Sequence, residues 1–176
     1  MNASPAVSQP TKHHSILVIG YGNQLRCDDA IGPRIADEVA IWRLPQVKSL
    51  TVQQLTPELA AELANSETVI FIDACRMDPD QAVRVTQIAP RGMETAGSTV
   101  PSMGHTCDPR SLLALTHSVY GHHPQAWWVE VKAIEFAVGE HLSTTAEEGI
   151  AEALDAIQAL IQSQLDSVTS SIKPHA

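Results

Sequence analysis

The chain has 176 residues, of which 44% are hydrophobic, so we expect one globular domain. A formal net charge of -9 argues against a surface that binds nucleic acid or an anionic membrane. Three cysteines without CxxC spacing predict neither a disulfide framework nor a zinc knuckle, and no apolar run is long enough to span a bilayer. The N-terminal residues lack the apolar core of a signal peptide, so we expect a cytoplasmic protein.

The first half of the chain predicts alternating strands and helices. Two continuously apolar runs, ending at Ile19 and Ile72, are typical of strands that are buried on both faces of a parallel sheet. We predict a polar tail at 1–14, followed by a strand at 15–20, a helix at 31–43, a strand at 49–55, a short helix from Thr56 to about Asn65, and a strand at 68–73 that Asp73 ends.

The second half completes the same pattern. We predict an edge strand at 83–88, a long loop at 89–108, a helix that begins at Asp108-Pro109 and ends at Gly121, a strand at 126–134, and a last helix that starts with the capping box Thr144–Glu147. The inward stripe of the helix after Asp108 comprises Leu112, Leu113, Leu115 and Val119. The predicted fold is therefore α/β: a single domain at 15–165 with a five-stranded, largely parallel twisted sheet sandwiched between helices, and a second tail at 166–176.

A glycine turn and two adjacent carboxylates follow the first strand. Gly20 and Gly22 resemble the start of a dinucleotide fingerprint, but Leu25 stands where that pattern needs its third glycine. A phosphate cradle is disfavoured because no P-loop lysine is present and Asp28 and Asp29 would repel an anion. The turn is better interpreted as presenting the two acids to a positively charged or proton-bearing group. The alternative interpretation is that both acids only cap a helix.

A candidate site combines these acids with two later residues. Asp73 terminates the second buried strand, and His105 lies on the long loop near a helix start. Two carboxylates and an imidazole can ligate a divalent first-row ion or act as general acid and base on a water. Each cysteine lies two residues from a candidate, which in an extended segment would put both side chains on one face.

We interpret the three cysteines, Cys27, Cys75 and Cys107, as small buried fillers. The other histidines have no context comparable with that of His105; they include His117, His122, His123 and His141.

The glycine turn and the two acids that follow it resemble the pattern of a known family. The stretch Gly20-Tyr21-Gly22-Asn23-Gln24-Leu25, with Asp28-Asp29-Ala30-Ile31-Gly32, resembles the signature of the hydrogenase maturation endopeptidases, which process nickel–iron hydrogenase large subunits. Residues 69–74, His105 before a Leu-rich helix, and Gly139-Glu140-His141-Leu142-Ser143 are similar to the later blocks of that family. The resemblance covers about residues 15–162 and implies the same sandwiched five-stranded sheet.

The resemblance also implies a function. Carried over by motif, Asp29, Asp73 and His105 would be both the catalytic residues and the contacts to nickel, with Asp29 at a position that is often Glu in relatives. The family carries no intrinsic cofactor, senses nickel already loaded into the large-subunit precursor, and removes a short C-terminal extension after a basic residue. The Asp-Asp pair and Asp73-Ala74-Cys75-Arg76 resemble members that serve soluble, NAD-linked hydrogenases, and we expect a monomer.

Two other functions stay open at the level of sequence. The chain could be a nickel-sensing chaperone that binds the large subunit without cleaving it. It could also be a cysteine-dependent hydrolase that uses Cys75 or Cys107 together with His105.

Overall fold

The computed structural model describes residues 15–93 and 107–171, and the side chains of 168–171 lie outside that description. Strands and helices alternate as the apolar runs and helix-start signals predict. The elements are β1 (Ile16–Tyr21), α1 (Ile31–Ile41), β2 (Val47–Val52), α2 (Ala60–Ala64), β3 (Thr68–Cys75), β4 (Val83–Ile88), α3 (Pro109–Tyr120), β5 (Gln125–Lys132) and α4 (Thr144–Ser171). Short 3₁₀ turns at Cys27–Ala30, here called the acidic turn, and at Pro57–Leu59 precede α1 and α2.

The strands form one five-stranded sheet in the order β2-β1-β3-β5-β4. The pairs among β2, β1, β3 and β5 are parallel, whereas β4 runs antiparallel to β5 at the edge of the sheet. The predicted fold class and the edge position of the fourth strand are therefore confirmed. In this arrangement the carboxyl ends of β1 and β3 are neighbours, which is where parallel sheets place their sites.

Helices cover both faces of the sheet. On one face α1 and α4 contribute Ile35, Val39, Ile157 and Ile161 to a core with Val18 and Ile70. On the other face α2 and α3 contribute Leu63, Leu112 and Leu113 to a core with Leu17, Ile19 and Phe71. These two cores explain why β1 and β3 are continuously apolar: each strand is buried on both sides.

Glycine allows α1 to begin directly against the strand ends. A Cβ on Gly32 would lie 2.4 Å from the carbonyl oxygen of Tyr21 and 2.6 Å from that of Ile72. No side chain fits this approach, because both neighbours are backbone atoms that cannot move aside. The contact holds the acidic turn across the carboxyl ends of β1 and β3.

Two predictions about β3 and α3 were wrong. Asp73 does not end its strand, because β5 continues to pair with β3 as far as Cys75 after β1 has left it. Val119 does not face inward and is 62% exposed. The buried stripe of α3 passes through Leu112, Leu113 and Thr116, and the last turn of the helix has no buried residue.

The start and the end of α4 also differ from prediction. The helix is capped by Ser143, one residue before the predicted capping box, because the Ser143 Oγ accepts a hydrogen bond of 3.1 Å from the Ala146 N–H. The helix continues to Ser171, so residues 166–171 are not part of the tail predicted at 166–176, and the rest of that tail lies outside the described residues. Leu165 still packs on the core, and no proline interrupts the sequence before Pro174. Among the described helices, even this long one is not apolar enough to cross a membrane.

Candidate active site

Asp28 is a structural anchor at the start of the acidic turn. Its side chain is fully buried and accepts hydrogen bonds from the Ile134 N–H at 2.9 Å, the Glu135 N–H at 3.0 Å, and the N–H and Oγ of Ser143 at 2.8 Å each. Burial alone would raise the pKa of Asp28, but the hydrogen bonds from Ser143, Ile134 and Glu135 outweigh it and lower the pKa below its ordinary value. One of the two tandem acids therefore fastens the turn to the segment before α4.

Asp29 lies beside the glycine turn with its side chain half-buried. Its Oδ2 accepts a hydrogen bond of 2.9 Å from the Asn23 N–H, and the Asn23 Oδ1 in turn accepts one of 3.0 Å from the Leu25 N–H. Gly22 has φ +144°, and a Cβ there would lie 2.0 Å from the carbonyl oxygen of Asp29. The glycine turn and Asn23 thus hold Asp29 at the end of β1.

Asp73 projects from β3 at the same edge of the sheet. Its half-buried Oδ2 accepts a 2.9 Å hydrogen bond from the Tyr21 hydroxyl. Burial raises the pKa of Asp73 to about 7; the Tyr21 hydrogen bond opposes that rise, and the nearby charge of Asp29 adds to it. A carboxyl group with this pKa is close to half protonated at neutral pH, so it can both donate and accept a proton.

Tyr21 was missed as a site residue, since the sequence presents it only as part of the glycine turn. Burial and the charge of Asp73 raise the pKa of Tyr21 well above its ordinary value, so its hydroxyl stays protonated and can serve as a donor. Gly20 pairs with Ile72, which places Tyr21 next to Asp73 across the two strands. The contact between Tyr21 and Asp73 follows from the pairing of β1 with β3, which the sequence pattern alone does not specify.

Of the three predicted site residues, the structure describes Asp29 and Asp73. Asp29 and Asp73 come together close enough for the charge of one to raise the pKa of the other. His105 lies outside the described residues, so its position relative to the acids stays a prediction. The segments that flank its loop are joined, because Arg91 donates hydrogen bonds to Asp108 and to the Ser111 Oγ. Asp108 also caps α3 as predicted.

The cysteines differ from the predicted arrangement at one position. The acidic turn is a 3₁₀ helix rather than an extended segment, so the two-residue spacing does not place Cys27 on the face of Asp29. Burial raises the pKa of Cys75 to about 11 and also raises the pKa of Cys107. Both thiols are therefore protonated at neutral pH. The prediction of buried fillers is confirmed for Cys27 and is wrong for Cys75 and Cys107, which are only partly buried.

His141 was wrongly set aside as a histidine without context. The fold brings it beside Cys27 and Glu135, with the Cys27 Sγ 3.7 Å from the His141 Nε2. The two residues are 114 positions apart in the chain, so no local pattern could have paired them.

Two clefts open beside the glycine turn. One, of about 310 Å³, is lined by residues of the glycine turn and of the end of β2, among them Asn23, Leu25 and Val52. The other, of about 390 Å³, is lined by Leu25, Arg34, Asp37, Glu140 and Gln24. Leu25 borders both clefts and is 59% exposed. The first cleft reaches Asn23, whose N–H contacts Asp29, whereas neither Asp29 nor Asp73 lines either cleft.

The fold of this chain is similar to that of several solved proteins. No model of a known protein family matches the sequence, and no curated protein matches it significantly. Solved structures do match. The [NiFe] hydrogenase maturation protease HycI from Thermococcus kodakarensis KOD1 has a TM-score of 0.63 at 19% sequence identity, over 84% of this chain and 92% of that one. The hydrogenase maturating endopeptidase HybD from E. coli has a TM-score of 0.64 at 22% identity, over 84% and 92%.

A hydrogenase 2 maturation peptidase from Thaumarchaeota archaeon SCGC_AB-539-E09 superposes equally well, with a TM-score of 0.62 at 22% identity over 84% of this chain and 97% of that one. In each case nearly the whole domain of the solved protein is matched, so the likeness concerns the complete architecture. The chain therefore has the α/β fold of the hydrogenase maturation proteases.

Proposed function

We propose that this protein is an endopeptidase that removes the C-terminal extension of a nickel-loaded hydrogenase large-subunit precursor. The observation that carries the proposal is the pair of Asp29 and Asp73 at adjoining strand ends, with the pKa of Asp73 raised to about 7. A pair of carboxyl groups in which the surroundings raise the pKa of one member is a recurrent arrangement for acid–base hydrolysis. The fold shared with solved maturation proteases supports the same activity.

The proposed reaction needs one proton acceptor and one proton donor. Asp29 takes a proton from a water molecule as the water oxygen attacks the carbonyl carbon of the scissile peptide bond. Protonated Asp73 gives its proton to the leaving amide nitrogen as the carbon–nitrogen bond breaks. The Tyr21 hydrogen bond orients Asp73, and the Asn23 N–H orients Asp29. General acid–base assistance of this kind typically contributes about 10²–10⁴-fold to the rate.

Nickel enters this proposal as part of the substrate. Carboxylate oxygens and an imidazole nitrogen are suitable ligands for a divalent first-row ion. Asp29 uses its Oδ2 for the Asn23 N–H, and a carboxylate has a second oxygen to offer to a metal held by the precursor. Asp29, Asp73 and His105 would then sense whether nickel is present, and no resident cofactor is needed.

The clefts beside the glycine turn suit an extended peptide. Leu25 offers exposed apolar surface between the two clefts, and the end of β2 lines one of them at the edge of the sheet. An extended segment of a precursor lying here would pass the Asn23 backbone, which contacts Asp29. We propose a soluble, NAD-linked hydrogenase as the client, because Asp28-Asp29 and Asp73-Ala74-Cys75-Arg76 resemble family members that serve such hydrogenases. We further propose that the protease is monomeric and acts in the cytoplasm.

The cysteine-dependent alternative has weaker support. A nucleophilic cysteine acts as a thiolate, and both Cys75 and Cys107 have a raised pKa. We expect Cys75→Ala and Cys107→Ala to retain most of the cleavage activity. Loss of cleavage by a folded Cys75→Ala or Cys107→Ala protein would favour the thiol mechanism instead.

The test separates docking from cleavage. Nickel-loaded precursor is incubated with the parent protein, Asp29→Asn or Asp73→Asn; product masses report cleavage, and capture of the precursor by the protease reports docking. The proposal predicts that both variants lose cleavage by about 10²-fold or more while Asp29→Asn still captures the precursor. Capture without cleavage by the parent protein itself would indicate the chaperone alternative.

A further inference from the structure

A second group of ligating side chains lies on the other side of the acidic turn. Cys27, Glu135 and His141 each offer one ligand atom, and these atoms all lie within 4.8 Å of one another. Cys27 is buried, whereas the side chains of His141 and Glu135 are 66% and 41% exposed. The proposed peptidase reaction uses none of the three.

Two of the three separations between these atoms are close to those of a tetrahedral metal site. The His141 Nε2 lies 3.3 Å from the Glu135 Oε2 and 3.7 Å from the Cys27 Sγ. With zinc bonds of about 2.3 Å to sulfur and about 2.0 Å to nitrogen and oxygen, tetrahedral angles require separations of about 3.3 Å for N···O and about 3.5 Å for S···N. The third pair, the Cys27 Sγ and the Glu135 carboxylate, lies within 4.8 Å, and rotation of the exposed Glu135 and His141 side chains would bring all three atoms round a common centre.

The backbone holds the ligands in place before any ion binds. The Cys27 N–H donates to the Gly139 carbonyl at 2.8 Å, and the Gly139 N–H donates to the Leu25 carbonyl at 2.9 Å. Gly139 also keeps the space open, because a Cβ there would lie 3.0 Å from the Cys27 Sγ and 3.2 Å from the His141 Nδ1. Cys27 itself has φ +46°, a strained conformation for a residue with a side chain, and such strain is concentrated at functional positions.

We propose that Cys27, Glu135 and His141 form a binding site for a borderline divalent transition ion, with Zn²⁺ as the representative species. One thiolate, one imidazole and one carboxylate match the donor classes that such ions prefer, and three protein ligands leave the fourth position for a solvent molecule. Binding releases the thiol proton to solvent. The site is distinct from Asp29 and Asp73 and concerns an ion bound by this chain itself.

Occupation would brace the proposed active site. The ion joins the acidic turn to residues 135–141, beside the hydrogen bonds that Asp28 already makes to Ile134, Glu135 and Ser143. Asp29 follows directly in the same turn. We therefore expect bound metal to raise the temperature of unfolding, since it binds the folded chain preferentially.

Cobalt provides the direct test, because Co²⁺ substitutes for Zn²⁺ and reports a sulfur ligand by a near-ultraviolet charge-transfer band. Chelator-treated, untagged protein is titrated with Co²⁺ and then with Zn²⁺. We expect a band that saturates at one equivalent of Co²⁺, disappears when Zn²⁺ is added, and is absent in Cys27→Ser. His141→Ala and Glu135→Gln should weaken binding by at least about tenfold, since even residues that only support metal ligands commonly cost that much.

Matched controls locate the site. Cys75→Ser, His122→Ala and Asp155→Asn should keep the band and its midpoint, because they change a thiol, an imidazole and a carboxylate elsewhere. If Cys27→Ser fails to fold, the exposed His141 and Glu135 variants decide the question. No saturable band in the parent protein, or an unchanged midpoint in His141→Ala and Glu135→Gln, would overturn the proposal. No precursor is used, so this outcome is independent of the peptidase assay.

Discussion

The Tyr21 hydroxyl donates a 2.9 Å hydrogen bond to the Oδ2 of Asp73 and so joins the last residue of β1 to β3. The bond favours the charged form of a carboxyl group that burial and the charge of Asp29 push towards protonation. The protonation of Asp73 is thus set by opposing neighbours, and each neighbour can be changed without removing the carboxyl group itself.

Tyr21→Phe and Asp29→Asn should shift the pKa of Asp73 in opposite directions. Loss of the Tyr21 hydrogen bond should raise the pKa by about one to two units, since a hydrogen bond to a charged group contributes about 1.5–3 kcal/mol. Loss of the Asp29 charge should lower it. Carboxyl carbon chemical shifts followed by NMR across the pH range measure both, with Tyr120→Phe on the exposed end of α3 as the control. Shifts in the same direction would contradict the assigned contacts.

Asp73→Asn should stabilise the protein at alkaline pH while it abolishes cleavage. The pKa of Asp73 is about 7 in the folded chain against an ordinary value of 3.8, so its contribution to stability is complete below about 3.8 and is lost as the pH rises through 7. An amide does not titrate and avoids this loss. Urea unfolding should therefore show the variant to be more stable than the parent protein by about 1–3 kcal/mol at pH 8.

At pH 3 the same comparison should give nearly equal stabilities, since Asp73 is then largely protonated in both states. Asp155→Asn, an exposed change on α4, should stay within about 0.5 kcal/mol at either pH. A variant that is less stable than the parent at pH 8 would mean that Asp73 is charged and well paired.

Asp28→Asn should weaken folding rather than chemistry. The amide cannot accept all of the hydrogen bonds that Ile134, Glu135 and Ser143 donate, so we expect a loss of about 2–4 kcal/mol in the free energy of unfolding at pH 7. Because the pKa of Asp28 is lowered, its contribution is present above about 3.8 and is lost as the pH falls further. Urea unfolding at pH 7 and pH 3 checks this. Equal losses at the two pH values would show that the charge does not matter.

The sequence predicts most of the fold because local physics decides it. Apolar runs such as Val69–Ile72 identify doubly buried strands, and the Asp108-Pro109 signal places a helix start correctly. Asp29 and Asp73 could be expected near each other, since carboxyl ends of parallel strands share an edge. The separate roles of the tandem acids could not be predicted, because Asp28 takes its partners from residues more than a hundred positions away.

Tyr21 and His141 show the same limit. Each gains its partner only when distant segments meet: Tyr21 through the pairing of β1 with β3, and His141 through the bridge between Arg26 and Gly139. The predicted end of α4 failed for a different reason. The residues near a chain terminus are often poorly ordered, whereas here Leu165 packs on the core and the helix continues to Ser171.

We propose that this chain is a peptidase controlled by nickel in its substrate. The direct measurement compares nickel-loaded and nickel-free large-subunit precursors incubated with the parent protein, with product masses determined by mass spectrometry. We expect loss of the C-terminal extension from the loaded precursor alone, and no such loss with Asp29→Asn. Equal processing of the nickel-free precursor, or processing by Asp29→Asn at the parent rate, would contradict it.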